Sequence, residues 1–112
     1  MTEKGTLPIG VEHEGRTHKE FELRPQLVRD SVDALEDDRA QRNDTYLGVC
    51  VLAKQLIRLG DIPREKLTPG LLMDMYEADL AAISAAARRL QQRLARFPGS
   101  GETGKEGGAG VA

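Results

Sequence analysis

The chain has 112 residues, which is enough for one folded domain and too few for two ordinary ones. Hydrophobic residues make up 39% of it and charged residues 30%, a composition typical of globular proteins rather than of disordered or membrane-embedded ones. The formal net charge of −2 gives the whole chain no attraction to nucleic acid or to anionic lipid, and the single cysteine excludes an internal disulfide.

Composition separates a folding unit, residues 1–97, from a tail, residues 98–112. The tail holds six of the twelve glycines and almost no apolar side chains. Since such a segment cannot offset its loss of conformational entropy by burial, we predict a single domain followed by a flexible tail.

Alternating apolar residues from Leu7 to Leu23 predict a β-hairpin, with its turn at Glu14-Gly15-Arg16. A three-residue loop gathers the apolar residues on one covered face, whereas a two-residue loop mixes the faces. The three-residue loop pairs Leu7 with Leu23 and Ile9 with Phe21. The opposite face then carries into water Glu12, His18, Glu20 and Glu22.

The first helix is predicted to begin with Pro25 at its first position. It has one narrow apolar stripe, formed by Leu27, Val28, Val32 and Leu35. The rest of its surface is acidic, and we expect these residues in water: Asp30, Asp33, Glu36, Asp37 and Asp38.

The second helix is predicted to be capped by Asn43 or Asp44 and to run to Leu59, just before a glycine. Between residues 47 and 53 it is apolar nearly all the way round, so we expect it at the centre of the fold. Cys50 lies in this stretch, where a thiol is typically buried and unreactive.

Thr68 followed by Pro69 is a typical helix start and opens a short apolar segment. A longer helix is predicted from about Glu77 to Phe97. Its apolar positions recur every three or four residues, as in helix-on-helix packing: Leu80, Ile83, Ala87, Leu90, Leu94 and Phe97. We therefore predict an α+β fold in which an N-terminal β-hairpin packs on a small bundle of three to four helices.

No group of residues has the pattern of a catalytic, metal or cofactor site. His13 and His18 are predicted on opposite faces of the hairpin, which argues against a shared metal ion. The adjacent acids Asp37 and Asp38 point different ways round a helix, without the loop that encloses a cation. The glycine-rich tail lacks the spacing of a phosphate-binding loop. We expect a protein that is not an enzyme and takes no cofactor.

Four arginines crowd the last predicted helix: Arg88, Arg89, Arg93 and Arg96. Such a cluster fits a surface for nucleic acid, but no aromatic residues that could stack on bases accompany it, apart from the terminal Phe97. Complementary charge between the two halves of the chain, or between two copies, explains it equally well. We therefore disfavour nucleic acid as a partner. We also expect no membrane partner, because no apolar run is long enough to span a bilayer.

Large apolar residues are concentrated just before the last helix, at Leu71, Leu72, Met73, Met75 and Tyr76. One interpretation is core packing, since a small domain needs every large side chain. The other is a groove for an amphipathic partner helix, in which methionines adapt to varied sequences. In that case the stripe of the last helix adds to the candidate binding surface through Leu90 and Leu94.

Several short motifs share their order and spacing with a known family. They are Glu14-Gly15 at the hairpin tip, Glu22-Leu23-Arg24-Pro25 with Asp30 five residues later, Leu59-Gly60, Leu67-Thr68 followed by Leu71-Leu72, and Asp79-Leu80. In these features, over about residues 7–94, the chain resembles the Mu-like tail assembly chaperones of contractile-tailed bacteriophages.

The resemblance implies a function in the cytoplasm of an infected or lysogenic bacterial host. Members of that family bind the long helical tape-measure protein before the tail tube closes around it, use no ATP or cofactor, and are absent from the finished virion. Many also occur in a longer form made by programmed frameshifting, which would be a further partner of this chain. The family has no site motif, so it assigns no role to individual residues.

Three classes of function stay open: a tail assembly chaperone, a small regulator that binds nucleic acid through the basic last helix, and a generic helical adaptor. Genomic context separates them. A very long coiled-coil reading frame beside tail tube and sheath genes favours the chaperone, whereas a lone position beside a promoter favours the regulator.

Overall fold

A computed structural model describes residues 1–96; the predicted tail, and Phe97 at the end of the predicted stripe, lie outside the described residues. Within these residues the strands are β1 (Glu3–His13), β2 (Arg16–Leu23) and β3 (Leu56–Leu59). The α-helices are α1 (Val28–Ala34), α2 (Asp38–Arg42), α3 (Asp44–Gln55), α4 (Pro69–Met73) and α5 (Glu77–Ala95), with a 3-10 turn at Arg64–Lys66. The predicted α+β class with an N-terminal hairpin is confirmed.

The third strand lies where the sequence predicts the end of the central helix. α3 stops at Gln55, and β3 then pairs antiparallel with β2 to give the sheet order β1-β2-β3. An irregularity in this pairing lets both Leu56 and Leu59 enter the core. The predicted helix end at Leu59 is wrong, because a short buried apolar run does not distinguish helix from strand. The predicted cap is confirmed, since Asn43 Oδ1 accepts the Tyr46 N–H at 3.0 Å.

The hairpin turns through two residues rather than the predicted three. Glu14 and Gly15 both have positive φ, 51° and 77°, and His13 pairs with Arg16. Two residues in this left-handed region are what a tight hairpin turn needs to match the twist of its strands. The predicted three-residue loop is therefore wrong. An irregularity further along β1 changes the register of the pairing instead.

A large bulge in β1 changes which of its apolar side chains face the core. Between two regularly paired stretches, residues 7–10 of β1 lie opposite a single residue of β2. Leu7 enters the core, whereas Ile9, predicted to be covered, points outwards and is 45% exposed. The predicted pairs are wrong: Phe21 lies opposite Gly5 instead of Ile9, and Leu23 lies opposite Glu3 instead of Leu7.

The bulge is closed by a carboxylate from the last helix. Asp79, the third residue of α5, is fully buried and accepts the Ile9 N–H at 2.8 Å and the Gly10 N–H at 2.9 Å. Gly10 has a φ of 108°, a backbone conformation that favours glycine. Because the first turn of a helix also favours negative charge, Asp79 is stabilised by its own helix as well as by the bulge.

His18, predicted in water, is buried beneath the turn that follows β3. Its Nδ1 accepts the Asp61 N–H at 3.1 Å, so its ring proton lies on Nε2, 3.3 Å from the carbonyl oxygen of His13. Gly60 has a φ of 53° and lies against the ring, where an added Cβ would overlap it. The wet face predicted for His18 is therefore wrong, because the turn at Gly60 and Asp61 covers its ring.

The core lies between the sheet and the helices α3, α4 and α5. α5 packs mainly along β1 and buries Ile83, Ala86 and Leu90, while Leu80 and Ala87 of the predicted stripe are partly buried. A second, smaller cluster joins α1 and α2 to α3: Ala34, Ala40, Cys50 and Val51. The predicted burial of Cys50 is confirmed.

The packing of His18 against Gly60 predicts a difference between two glycine substitutions. Gly60→Ala should lower the free energy of unfolding by about 3 kcal/mol, because it adds a steric clash to the cost of a positive φ. Gly15→Ala, which has a positive φ but nothing within 4 Å of the added Cβ, should cost only about 1 kcal/mol. Urea unfolding measures both, and equal costs would contradict the close contact with His18.

Candidate partner-binding surface

The predicted helix start at Thr68 positions the first part of the candidate surface. Thr68 Oγ1 accepts the Leu71 N–H at 3.2 Å, and Pro69 occupies the first turn, so the predicted cap is confirmed. α4 is short and ends at Met73, after which Tyr76 caps α5. The apolar segment is thus a helix, a bend and a helix start rather than one continuous face.

The structure divides the seven predicted binding residues between the core and the surface. Leu72 and Leu90 are buried in the core, and Leu71 and Met75 are partly buried against it. Leu94 is also partly buried. Met73 and Tyr76 are exposed, with 42% and 62% of their surface accessible. A partner would therefore meet Met73 and Tyr76 first, because Leu71 and Met75 are less exposed.

A second exposed apolar surface lies on α1, and nothing in the sequence pattern predicts its exposure. It consists of the stripe that was predicted as the apolar side of the first helix. We call it the α1 apolar face: Leu27, Val28, Val32 and Leu35. Val28 is the most exposed of them, at 85%. α1 contacts α3 through its buried residue Ala34, while these four side chains stay exposed.

A buried ion pair turns the α1 apolar face outwards. Arg24 Nη1 and Nη2 each donate to one oxygen of Asp30 at 2.8 Å, and Asp30 Oδ2 also accepts the Leu27 N–H at 2.8 Å. The Arg24 carbonyl accepts from Gln55 Nε2 at 3.1 Å, which ties the pair to the end of α3. The predictions that Asp30 is solvated and that the helix starts at Pro25 are both wrong, because Asp30 caps a helix that begins at Val28.

The same interactions set the ionisation of Asp30. The hydrogen bonds from Arg24, and then that from the Leu27 N–H, hold the pKa of Asp30 below its ordinary value of 3.8, against the opposing effect of burial. A bidentate guanidinium–carboxylate pair is both stronger and more directional than a single contact. Asp30 is thus a charged structural group and not an acid available to titrate near neutral pH.

A cavity of about 480 Å³ lies beside this ion pair and is lined by charged side chains of both signs. Asp37, one of the lining residues, accepts a hydrogen bond from the Tyr46 hydroxyl at 3.1 Å. That bond and the neighbouring Cys50 raise the pKa of Tyr46 to about 12, so the phenol stays protonated at neutral pH. The remaining charged residues of the lining include Arg29, Asp33, Lys54 and Arg64.

Two of the four arginines of the predicted last helix are engaged within the fold. Arg89 Nε donates to Glu3 Oε2 at 2.9 Å, and Arg93 donates to the other oxygen of Glu3 and to the Thr2 carbonyl. These contacts, led by the bond from Arg89, lower the pKa of Glu3. Arg89 and Arg93 thus pair with an acid from the first half of the chain, which is one of the explanations that the sequence pattern left open for the cluster.

The two histidines lie closer together than the predicted register allows. Their ring centroids are 6.0 Å apart, so the prediction that they point to opposite faces is wrong. The His18 ring nitrogens already face Asp61 and His13 backbone groups. Within residues 1–96, no three His, Cys, Asp or Glu side chains gather as a metal site would require.

Comparison with family models, with curated proteins and with solved structures finds no match to this chain. Its function must therefore be argued from its own residues and surfaces. None of the helices in the described part of the chain combines the length and apolar character needed to cross a membrane.

The Arg24–Asp30 pair predicts a pH dependence of stability. Because the pKa of Asp30 is lowered on folding, the pair stabilises the protein fully above the unfolded value and is lost as the pH falls through the folded value. At pH 7, Asp30→Asn should lower the free energy of unfolding by about 2 kcal/mol or more. The difference from wild type should shrink below about pH 4.

Asp33→Asn, at an exposed acid of the same helix, is the matched control and should change little at any pH. Urea unfolding from pH 7 to pH 3 measures both variants. A loss in Asp30→Asn that does not vary with pH would contradict the ionic role of Asp30.

Proposed function

We propose that this protein is a non-catalytic tail assembly chaperone that binds a tape-measure protein in the cytoplasm of a bacteriophage-infected or lysogenic bacterium. The resemblance of its motifs to the Mu-like chaperones supports this identity. The observation that carries the binding function is the exposure of Met73 and Tyr76 beside the core. Large apolar side chains grouped at the surface are typical of protein-binding sites.

The chemistry of this surface suits an amphipathic helix. Met73 is flexible and polarisable, so it can pack against apolar side chains of different shapes. Tyr76 offers a large ring with a polar end, a combination that is enriched at protein interfaces. Leu71 and Met75 pack against the core and are partly exposed, so they can add apolar surface to that of Met73 and Tyr76.

Contacts of the basic helix weigh against the nucleic-acid alternative. Glu3 holds both Arg89 and Arg93, which lowers the positive charge that α5 can offer to phosphates. Arg88 and Arg96 are exposed and remain available. A generic helical adaptor would use the same apolar surface, and the identity of its partner separates it from a chaperone.

Replacing Met73 and Tyr76 together with glutamine should weaken partner binding at least tenfold, since burial of one large apolar side chain contributes roughly 1.5–3 kcal/mol. The fold should be retained because both side chains are exposed. The measurement is co-expression with the long coiled-coil protein encoded nearby, then a pull-down and a thermal melt of the free variant. Ile9→Gln, at an exposed apolar residue of the hairpin, is the control and should bind as wild type.

Two outcomes would contradict the proposal in different ways. A folded double variant that keeps the coiled-coil partner soluble at the wild-type level would exclude this surface. A wild-type protein that captures no such partner but shifts duplex DNA or RNA at about 150 mM salt would favour the nucleic-acid regulator instead.

A further inference from the structure

The α1 apolar face has a pattern that complements itself. Val28, Val32 and Leu35 are spaced by four and three residues, which places them along one line of a helix. Turn hydrogen bonds continue the helical path beyond Ala34, since the Leu35 N–H bonds to the Ser31 carbonyl at 3.2 Å. The line therefore runs over about two turns and has Val32 near its middle.

Opposite charges flank this line at its two ends. Arg29 and Glu36 are seven residues apart, or two helical turns, so they lie on the same side of the line. Both are exposed, and neither takes part in an ion pair within residues 1–96. One end of this flank is thus positive and the other negative, and the exposed acid Asp33 lies between them, further round the helix from the apolar line.

We infer that the α1 apolar face binds a second copy of this chain, with the two α1 helices packed antiparallel about a two-fold axis near Val32. In this arrangement Val28 packs against Leu35 of the other copy, and the two Val32 side chains meet. Arg29 lies against Glu36 of the other copy, and symmetry makes the same ion pair twice. A parallel arrangement would place the charged flanks of the two copies on opposite sides of the contact, without these ion pairs, so the charges favour the antiparallel one.

The face is small, so the dimer is of the weak, concentration-dependent kind. This inference is independent of the proposed function, because it needs no tape-measure protein.

Sedimentation equilibrium of the full chain, from about 10 µM to about 1 mM, tests the inference. The apparent mass of wild type should rise from the 12.3 kDa of one chain towards twice that value. Val32→Glu should raise the dissociation constant at least tenfold, since it places two carboxylates at the axis. Met73→Glu, at an exposed residue outside this face, is the matched control and should dimerise as wild type.

A charge exchange tests the antiparallel geometry. Arg29→Glu and Glu36→Arg should each weaken dimerisation by about fivefold, and the double variant should recover wild-type affinity within about twofold. All these side chains are exposed, so thermal melts at low concentration should match wild type. A monomer at every concentration would overturn the inference, and so would a dimer that tolerates Val32→Glu or is not rescued by the double exchange.

Discussion

The fold depends on the hydrogen bonds that join the Asp79 carboxylate to the backbone of the β1 bulge. A buried carboxylate is costly unless its oxygens are satisfied, and here each oxygen accepts one N–H, from Ile9 and from Gly10. The bulge decides which apolar residues of β1 face inwards, so Leu7 completes the core while Ile9 points outwards. Glu3 bonds to the other end of α5, so strand and helix run antiparallel and are tied at both ends. Asp79 thus sets the register of the sheet and the position of the longest helix together.

Asp30 has the corresponding role for α1. It is also buried, also accepts a backbone N–H, and is held by Arg24. The orientation of α1 follows from this pair, because the side of the helix that carries Asp30 must face the protein. The apolar residues on the opposite side are then left exposed. Two aspartates therefore determine which apolar groups stay available to partners, both on α1 and on the hairpin.

Local signals in the sequence were sufficient where the chemistry is local. The caps at Asn43 and Thr68 are recognisable because each bonds to an N–H three residues away. Asp79 could not be interpreted in the same way, since its partner Ile9 is 70 residues distant. The bulge is closed by that distant contact, which an apolar pattern does not reveal, so the pattern alone predicts the wrong register. For the candidate surface, helical spacing identified the apolar residues, but only tertiary packing decides that Leu72 is buried and Met73 exposed.

Amide hydrogen exchange at Ile9 and Gly10, followed by NMR, tests the role of Asp79 most directly. Both amides lie in an irregular segment of an edge strand, where exchange is ordinarily fast. We predict protection of at least about a hundredfold over an unstructured chain in wild type, and its selective loss in Asp79→Asn, whose amide group replaces one acceptor by a donor. Glu77→Gln, at an exposed acid of the same helical turn, should keep the protection. Unprotected amides in wild type, or protection unchanged in Asp79→Asn, would contradict the account.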